Sequence, residues 1–147
     1  NADLLTQYNL YEADLARPKV KEADFRGKAK HLEYRARVHQ PAMLCTLVMT
    51  DNVDAAGVAR YPVGTLPVVD PETGKTLVDE LGRLSYTTSV AYGPTVGRNI
   101  ILAYLPHEYA QVGRKLCVEY FAESFPVEVA GVGYAPLYDP QNLKPRS

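Results

Sequence analysis

An all-β fold, an antiparallel Greek-key barrel of about six strands with a short helical arm at its N-terminus, is what this 147-residue sequence predicts. Three observations predict it. Short apolar or alternating runs recur from Ala42 to Val132, separated by Gly- and Pro-marked turns, the signature of a β-meander or barrel. Eleven Tyr and eleven Pro with no Trp suit a turn-rich sheet better than a helical bundle. The length suits one domain with a modest core.

The elements follow in order. Residues 3–23 are mixed and polar, and Pro18 breaks any helix starting near Leu10. Ala29, Leu32 and Ala36 lie at helical spacing behind Gly27, which predicts a helix over about Lys28–Arg37 with Gly27 at its N-cap. Its apolar face is weak, so it must rest on something larger. Ala42–Thr50 is a continuous apolar run, expected to be a strand buried on both faces. Leu66–Val69 and Thr76–Asp79 flank Asp70-Pro71-Glu72-Thr73-Gly74, in which Pro favours an early turn position and Gly accepts a positive φ. Gly82–Val90 and Asn99–Leu105 read as strands, and Pro106–Val112 as a helical turn ended by Gly113. In Lys115–Ala122, Leu116, Val118 and Tyr120 alternate with Cys117, Glu119 and Phe121. In Phe125–Val132, Val127 and Val129 alternate with Glu128 and Ala130. That period of two is a strand with unlike faces. Closing such strands into a barrel removes exposed edges. The organisation expected is a basic arm over 1–40 and a barrel over 41–147.

Formal net charge is −1, which gives no global pull toward nucleic acid. Half of the sixteen basic residues nevertheless lie between Arg17 and Arg37, against Glu22, Asp24 and Glu33. This segment is a solvated linker or a surface for an anion, an RNA or a partner. From Val38 onward eight basic residues face eleven acidic ones, so counterion release would add little affinity there. Neither nucleic acid nor a membrane is expected as a partner. No run reaches the roughly 18 apolar residues of a membrane span. Cys45 and Cys117 are far apart, without a CxxC, and sit in apolar runs; both are expected to be buried free thiols of a reduced, cytoplasmic protein. Asn1-Ala2 before Asp3 reads as a remnant of cleavage, which makes the chain a domain excised from a longer protein.

Few residues offer chemistry. His31, His39 and His107 share no metal-ligand spacing with one another or with Cys or carboxylates. Ser89 is in no G-x-S-x-G elbow. Gly131-Val132-Gly133 opens like a dinucleotide loop, but Pro136 stands where the phosphate-binding helix would begin, so a strand end needing close backbone approach is the expectation. Asp79 and Glu80 are expected to point to opposite faces of a strand. Tyr86, Tyr92, Tyr134 and Tyr138 would serve as a stacking platform on a base-binding barrel; with an acidic surface they read better as packing aromatics. No catalytic residue and no metal ligand is assigned.

Function comes from a resemblance. Gly82, Thr88-Ser89, Pro94, the apolar Ile100–Ala103 strand, Gly113, Val118, Val129 and the closing Pro136-Leu137-Tyr138 stand in the order found in the C-terminal barrel of the glycine-cleavage T-protein (aminomethyltransferase) family. Upstream, Phe25-Arg26-Gly27-Lys28-Ala29 is similar to that family's "F-aliphatic-G-K" entry, with Arg26 departing from the aliphatic residue. Tyr138-Asp139-Pro140-Gln141-Asn142-Leu143 resembles the branch fused to FAD-dependent dimethylglycine and sarcosine dehydrogenases. The resemblance covers most of residues 24–143. It implies a domain of a tetrahydrofolate-dependent one-carbon transferase whose folate site and catalytic acid lie mainly in preceding domains of the same protein. FAD would sit in a fused domain of the flavin branch. Arg146 is the position implied to contact folate; a frayed terminal residue is the other reading. A folate-dependent O- or S-demethylase and a stand-alone binding or assembly module remain the alternatives.

Overall fold

The computed structural model describes residues 3–16 and 19–133. It contains α1 (Lys28–Arg35) and six strands: β1 (Ala42–Met49), β2 (Val68–Val69), β3 (Thr87–Gly93), β4 (Arg98–Pro106), β5 (Lys115–Tyr120) and β6 (Glu123–Val132), with a 3-10 turn at His107–Tyr109. All pairings are antiparallel, in the order β2-β5-β6-β1-β4-β3. The sheet curls into a half-barrel whose two ends meet. The Thr65 amide donates to the Thr87 carbonyl (2.7 Å), Thr87 to Leu66 (2.8 Å) and Val68 to Ser85 (3.0 Å). These bonds stitch the approach to β3 onto the approach to β2 and join the two edges of the sheet there. Through that seam β2, β3 and β4 are consecutive neighbours and β1 lies beside β4, which is the Greek-key order.

Alternation decides what fills the interior. Cys45, Leu47 and Met49 of β1 point inward. They meet Ile101, Ala103 and Leu105 of β4, Leu116 and Val118 of β5, and Phe125, Val127 and Val129 of β6. A small barrel of this kind is packed solid by its own side chains. The apolar run of β1 is not buried equally on both faces, contrary to expectation: its burial alternates. Its outward residues Ala42 and Leu44 belong to a second cluster under residues 3–16. The helix ends at Arg35, two residues short of Arg37, and none of its residues is buried. Gly27 takes the N-cap at φ 85, a conformation glycine adopts without steric cost. The third strand begins at Thr87 rather than Gly82, because residues 79–83 form a turn in which the Asp79 carboxylate accepts from the Leu81 (2.9 Å) and Arg83 (3.0 Å) amides.

The Asp70 turn forms as expected. Gly74 has φ 66, and the Asp70 carboxylate accepts from the Glu72 amide (2.8 Å) and the Tyr109 hydroxyl (3.0 Å). Those bonds, the Glu72 amide first, hold its carboxyl below the ordinary range. The β5–β6 turn is less comfortable. Phe121 and Ala122 have φ 52 and 60, the doubly left-handed geometry of a two-residue hairpin that Asn-Gly normally fills. An L-residue pays roughly 1–2 kcal/mol there. Ala122→Gly is therefore expected to stabilise the chain by about 0.5–1 kcal/mol, the relief of strain exceeding glycine's greater unfolded-state freedom. A urea melt checks this; a lower midpoint would show that the turn is unstrained.

Candidate functional site

The densest polar construction lies outside the barrel, where residues 3–16 cross the outer face of β1 and β4 as a strap. The Leu44 amide donates to the Glu12 carbonyl (2.7 Å), and the Tyr104 hydroxyl to the Asp3 carbonyl (2.6 Å). The Asp3 carboxylate accepts from Thr88 Oγ1 (2.5 Å) and Ser89 Oγ (2.7 Å). The Tyr8 ring stacks on Tyr104 with centroids 3.6 Å apart and planes within 5°. This explains why β4 carries a tyrosine on its outer face: ring and hydroxyl are both occupied by the strap.

Arg83 sits at the centre of this layer. Its Nε donates to Asp79 Oδ2 (2.7 Å), its Nη2 is bonded to Glu12 Oε1, its Nη1 donates to the Gln7 carbonyl (2.6 Å), and the guanidinium lies 4.4 Å from the Tyr8 ring centroid. The Glu12 and Asp79 side chains are each 2% exposed. Burial works against the charge of Arg83, but its bonds to Glu12 and Asp79 outweigh it and hold the guanidinium above its ordinary value. Asn9 donates to Glu12 Oε2 from its backbone (2.8 Å) and its side chain (2.9 Å). With the acceptors occupied by fixed donors and no hydroxyl or imidazole on either carboxylate, the triad is built to hold the strap, not to move protons.

The residues singled out in the sequence are scattered around this layer. Asp79 and Glu80 do not alternate on a strand: Asp79 is buried in its turn, while Glu80 is exposed with Oε2 3.6 Å from His39 Nε2. His39 stacks on His107 (4.5 Å between centroids), and His31 Nε2 lies 3.1 Å from the Tyr11 hydroxyl. Among the described residues no three His, Cys, Asp or Glu side chains converge as metal ligands. Ser89 serves Asp3. Gly131 pairs with Thr46, and a Cβ on Gly133 would run into the Asp14 side chain, so this pair of glycines closes a strand as expected. Cys45 is buried, and burial pushes its thiol up to about 12; Cys117 is only half-buried, a correction, because it faces outward, and burial raises it too. Tyr86 and Tyr92 are exposed rather than packing aromatics, since both project from the seam and turn regions instead of the barrel interior. Tyr134, Tyr138 and Arg146 lie outside the described residues.

Sequence reasoning missed Asp3, Glu12, Arg83 and Tyr104. A local signal existed for one pair, Asp79-x-x-Gly82-Arg83, which is a turn closed by its own ion pair. Nothing near Glu12 marks its partner 71 positions away.

Three clefts around the barrel are lined by described residues. One of about 280 Å³ lies between Leu5, Tyr8, Tyr86 and Tyr104. A second of about 340 Å³ separates the strap from α1, between Asn9, Tyr34, Arg37 and Arg83. A third of about 440 Å³ opens at one barrel end between Tyr61, Tyr92 and Arg98. None combines a titratable pair with an enclosed floor. Among the described residues no helix is long and apolar enough to cross a membrane.

With this geometry the comparisons with known proteins agree. The family model of the glycine cleavage T-protein C-terminal barrel domain matches residues 60–139. The chain belongs to that family. It is 25% identical over 109 residues to the mitochondrial dimethylglycine dehydrogenase of Rattus norvegicus, covering 74% of this chain and 11% of that protein. The aminomethyltransferase T of the glycine cleavage system from Bartonella henselae has the same fold, with a TM-score of 0.54 at 15% identity over 71% of this chain and 25% of that one. A UDP-N-acetylmuramate–L-alanine ligase of Nitrosospira multiformis is 38% identical over 60 residues, 35% of this chain and 12% of the ligase, too little of either to carry an argument. The chain thus spans about a tenth of the dehydrogenase and a quarter of the T-protein chain. It matches one barrel domain of those longer proteins.

Proposed function

We propose that this chain is the C-terminal barrel of a tetrahydrofolate-dependent one-carbon transferase, of the T-protein or flavin-linked demethylating kind, and that it forms one wall of a pocket completed by other domains of its parent. The family match over residues 60–139 carries this reading, and the relation to a dimethylglycine dehydrogenase over 74% of the chain favours the flavin branch. In that branch FAD belongs to a fused domain. The described residues support a non-catalytic share: the buried carboxylates of Glu12 and Asp79 are tied to Arg83 and that of Asp54 to Arg60, and the barrel interior is filled by apolar side chains. Two unpaired thiols suit a reducing compartment such as the cytoplasm. Arg146, if it faces the shared pocket, pairs with a carboxylate or carbonyl of folate.

Calorimetric titration of this chain with tetrahydrofolate is expected to give weak binding or none, because a ligand site must bury most of its ligand. A dissociation constant in the low micromolar range, about −8 kcal/mol, would place the whole site in the barrel and overturn the shared-wall reading. In the full-length parent, Arg146→Ala is expected to raise the folate concentration needed for turnover; an unchanged requirement removes Arg146 from the site.

A further inference from the structure

The cleft of about 340 Å³ between the strap and α1 is walled by three cations, Lys30, Arg37 and Arg83, and by one carboxylate, Glu12. Glu12 is spent on Arg83 and Asn9, and Arg83 is balanced by Glu12 and Asp79. The other two cations share a single acid, Glu33. Both Glu33 oxygens lie 2.8 Å from Lys30 Nζ, whereas Arg37 Nη2 stands 3.6 Å from Glu33 Oε1, beyond hydrogen-bond reach. The Arg37 side chain is nevertheless only 29% exposed, so much of it has left water without a bonded carboxylate. What it has is the Tyr34 ring: the Lys30 ammonium and the Arg37 guanidinium each lie 5.1 Å from the ring centroid. The cleft therefore carries one positive charge more than its acids balance. Its surroundings add to this, since residues 19–37 hold seven Lys and Arg against three Asp and Glu. A concave surface dominated by one sign of charge concentrates counter-ions.

The walls are fixed before a ligand arrives. Asn9 Nδ2 donates to Gln40 Oε1 (3.2 Å), Gln40 Nε2 donates to the Tyr34 carbonyl (2.8 Å), and the Tyr11 hydroxyl lies 3.1 Å from His31 Nε2. These bonds hold α1 to the strap, and a preformed site loses little freedom on binding. The volume falls in the range of small-molecule sites, and Tyr8, Tyr34 and Leu81 give the cleft apolar surface beside its cations. A guanidinium fork matches the two oxygens of a carboxylate. One excess positive charge, with Glu12 and Glu33 close enough to repel further negative charge, suits a monoanion better than a phosphate dianion.

We propose that this cleft is a binding site for a small free carboxylate with a planar apolar remainder. Arg37 and Lys30 take its oxygens, and Tyr34 and Leu81 receive the remainder. The ligand completes the balance that Glu33 leaves unfinished and ties α1 more firmly to the strap. The inference goes beyond the one-carbon reading and uses no contact with folate.

Heteronuclear NMR of this 147-residue chain, titrated with sodium benzoate at an ionic strength held constant with chloride, tests it. Saturable shifts of the Asn9, Lys30, Tyr34 and Arg37 amides are expected. Arg37→Gln is expected to weaken binding about tenfold, the usual scale for a lost charge-assisted hydrogen bond. Glu33→Gln is expected to strengthen it about threefold or more, because a charged neighbour that competes for both cations is gone. That opposite sign separates a binding site from damage to α1, which would weaken both variants. Shifts linear in benzoate, or unchanged by Arg37→Gln, would overturn the proposal, as would equal or weaker binding in Glu33→Gln. Inorganic phosphate binding more tightly than benzoate would hand the cleft to phosphate esters and defeat the carboxylate assignment. Saturation transfer from the full-length parent to benzoate is also expected, and its loss with Arg37→Gln. No transfer from the unmutated parent would mean that a carboxylate of the parent itself fills the cleft, and the free-ligand assignment would be wrong. Each of these outcomes is independent of whether the parent uses folate.

Discussion

Arg83→Met is expected to destabilise the chain by about 3–5 kcal/mol, the usual cost of leaving a buried charge without its partner. Here one guanidinium serves two buried carboxylates, Glu12 and Asp79, so its removal strands both. It also strips the Gln7 carbonyl of a donor and the Tyr8 ring of its cation. Against a typical total of about 5–15 kcal/mol for a domain, that loss approaches unfolding. The burial of both carboxylates, with Arg83 only 14% exposed, is the reason the figure exceeds the value of an exposed pair, about 0–1 kcal/mol. Adding Glu12→Gln and Asp79→Asn to Arg83→Met should recover part of the loss, because neutral amides are cheaper to bury than unpaired carboxylates. Urea melts of the single and triple variants decide it. A single variant within about 1 kcal/mol of the unmutated chain would mean that water reaches the triad and that the tyrosine stack and the Asp3 and Leu44 bonds hold the strap without it.

The parts of this fold that were legible in the sequence are those in which a local pattern has one physical solution. Leu116 and Val118 against Cys117 and Glu119 admit a strand with one buried face, and the structure gives that strand. Asp70-Pro71-Glu72-Thr73-Gly74 admits a turn, and Gly27 a helix start. The run at β1 was read as buried on both faces, whereas its burial alternates: the outward face is only partly covered, Leu44 packing with Tyr8 and Ala13 of a segment remote in sequence, which no periodicity in 42–50 encodes. The strap was illegible for the same reason. Residues 3–16 are polar and without period, and their order comes from Glu12 and Asp3 finding partners 71 to 101 positions away. Family membership was legible only through the resemblance, which covers most of residues 24–143, since no composition, period or spacing in the chain names a chemistry.

Tyr104→Ala should cost about as much as the loss of Arg83, 3–5 kcal/mol in order of magnitude for a large buried ring. The ring is 2% exposed and stacked on Tyr8 at 3.6 Å. Tyr104→Phe separates ring from hydroxyl. It keeps the stack and forfeits the bond to the Asp3 carbonyl, so a loss of about 1 kcal/mol is expected at neutral pH. The two variants should part company in alkali. Burial, with Tyr8, Glu12 and Asp3 nearby, raises the Tyr104 phenol from 10.0 to about 12. The native state therefore keeps this proton over a range in which the unfolded chain releases it. The stability linked to it is intact below pH 10 and is lost as the pH rises toward about 12, the direction required when the native state binds more protons than the unfolded one. Tyr8, also raised by burial, and Cys45, raised to about 12, lose stability in the same direction and set the background slope. Urea midpoints measured across pH 9–12 should fall more steeply for the parent chain than for Tyr104→Phe, so that the gap between them narrows as the pH rises. Parallel curves would show that the Tyr104 hydroxyl titrates as in the unfolded chain, which is incompatible with a strap that keeps water from it.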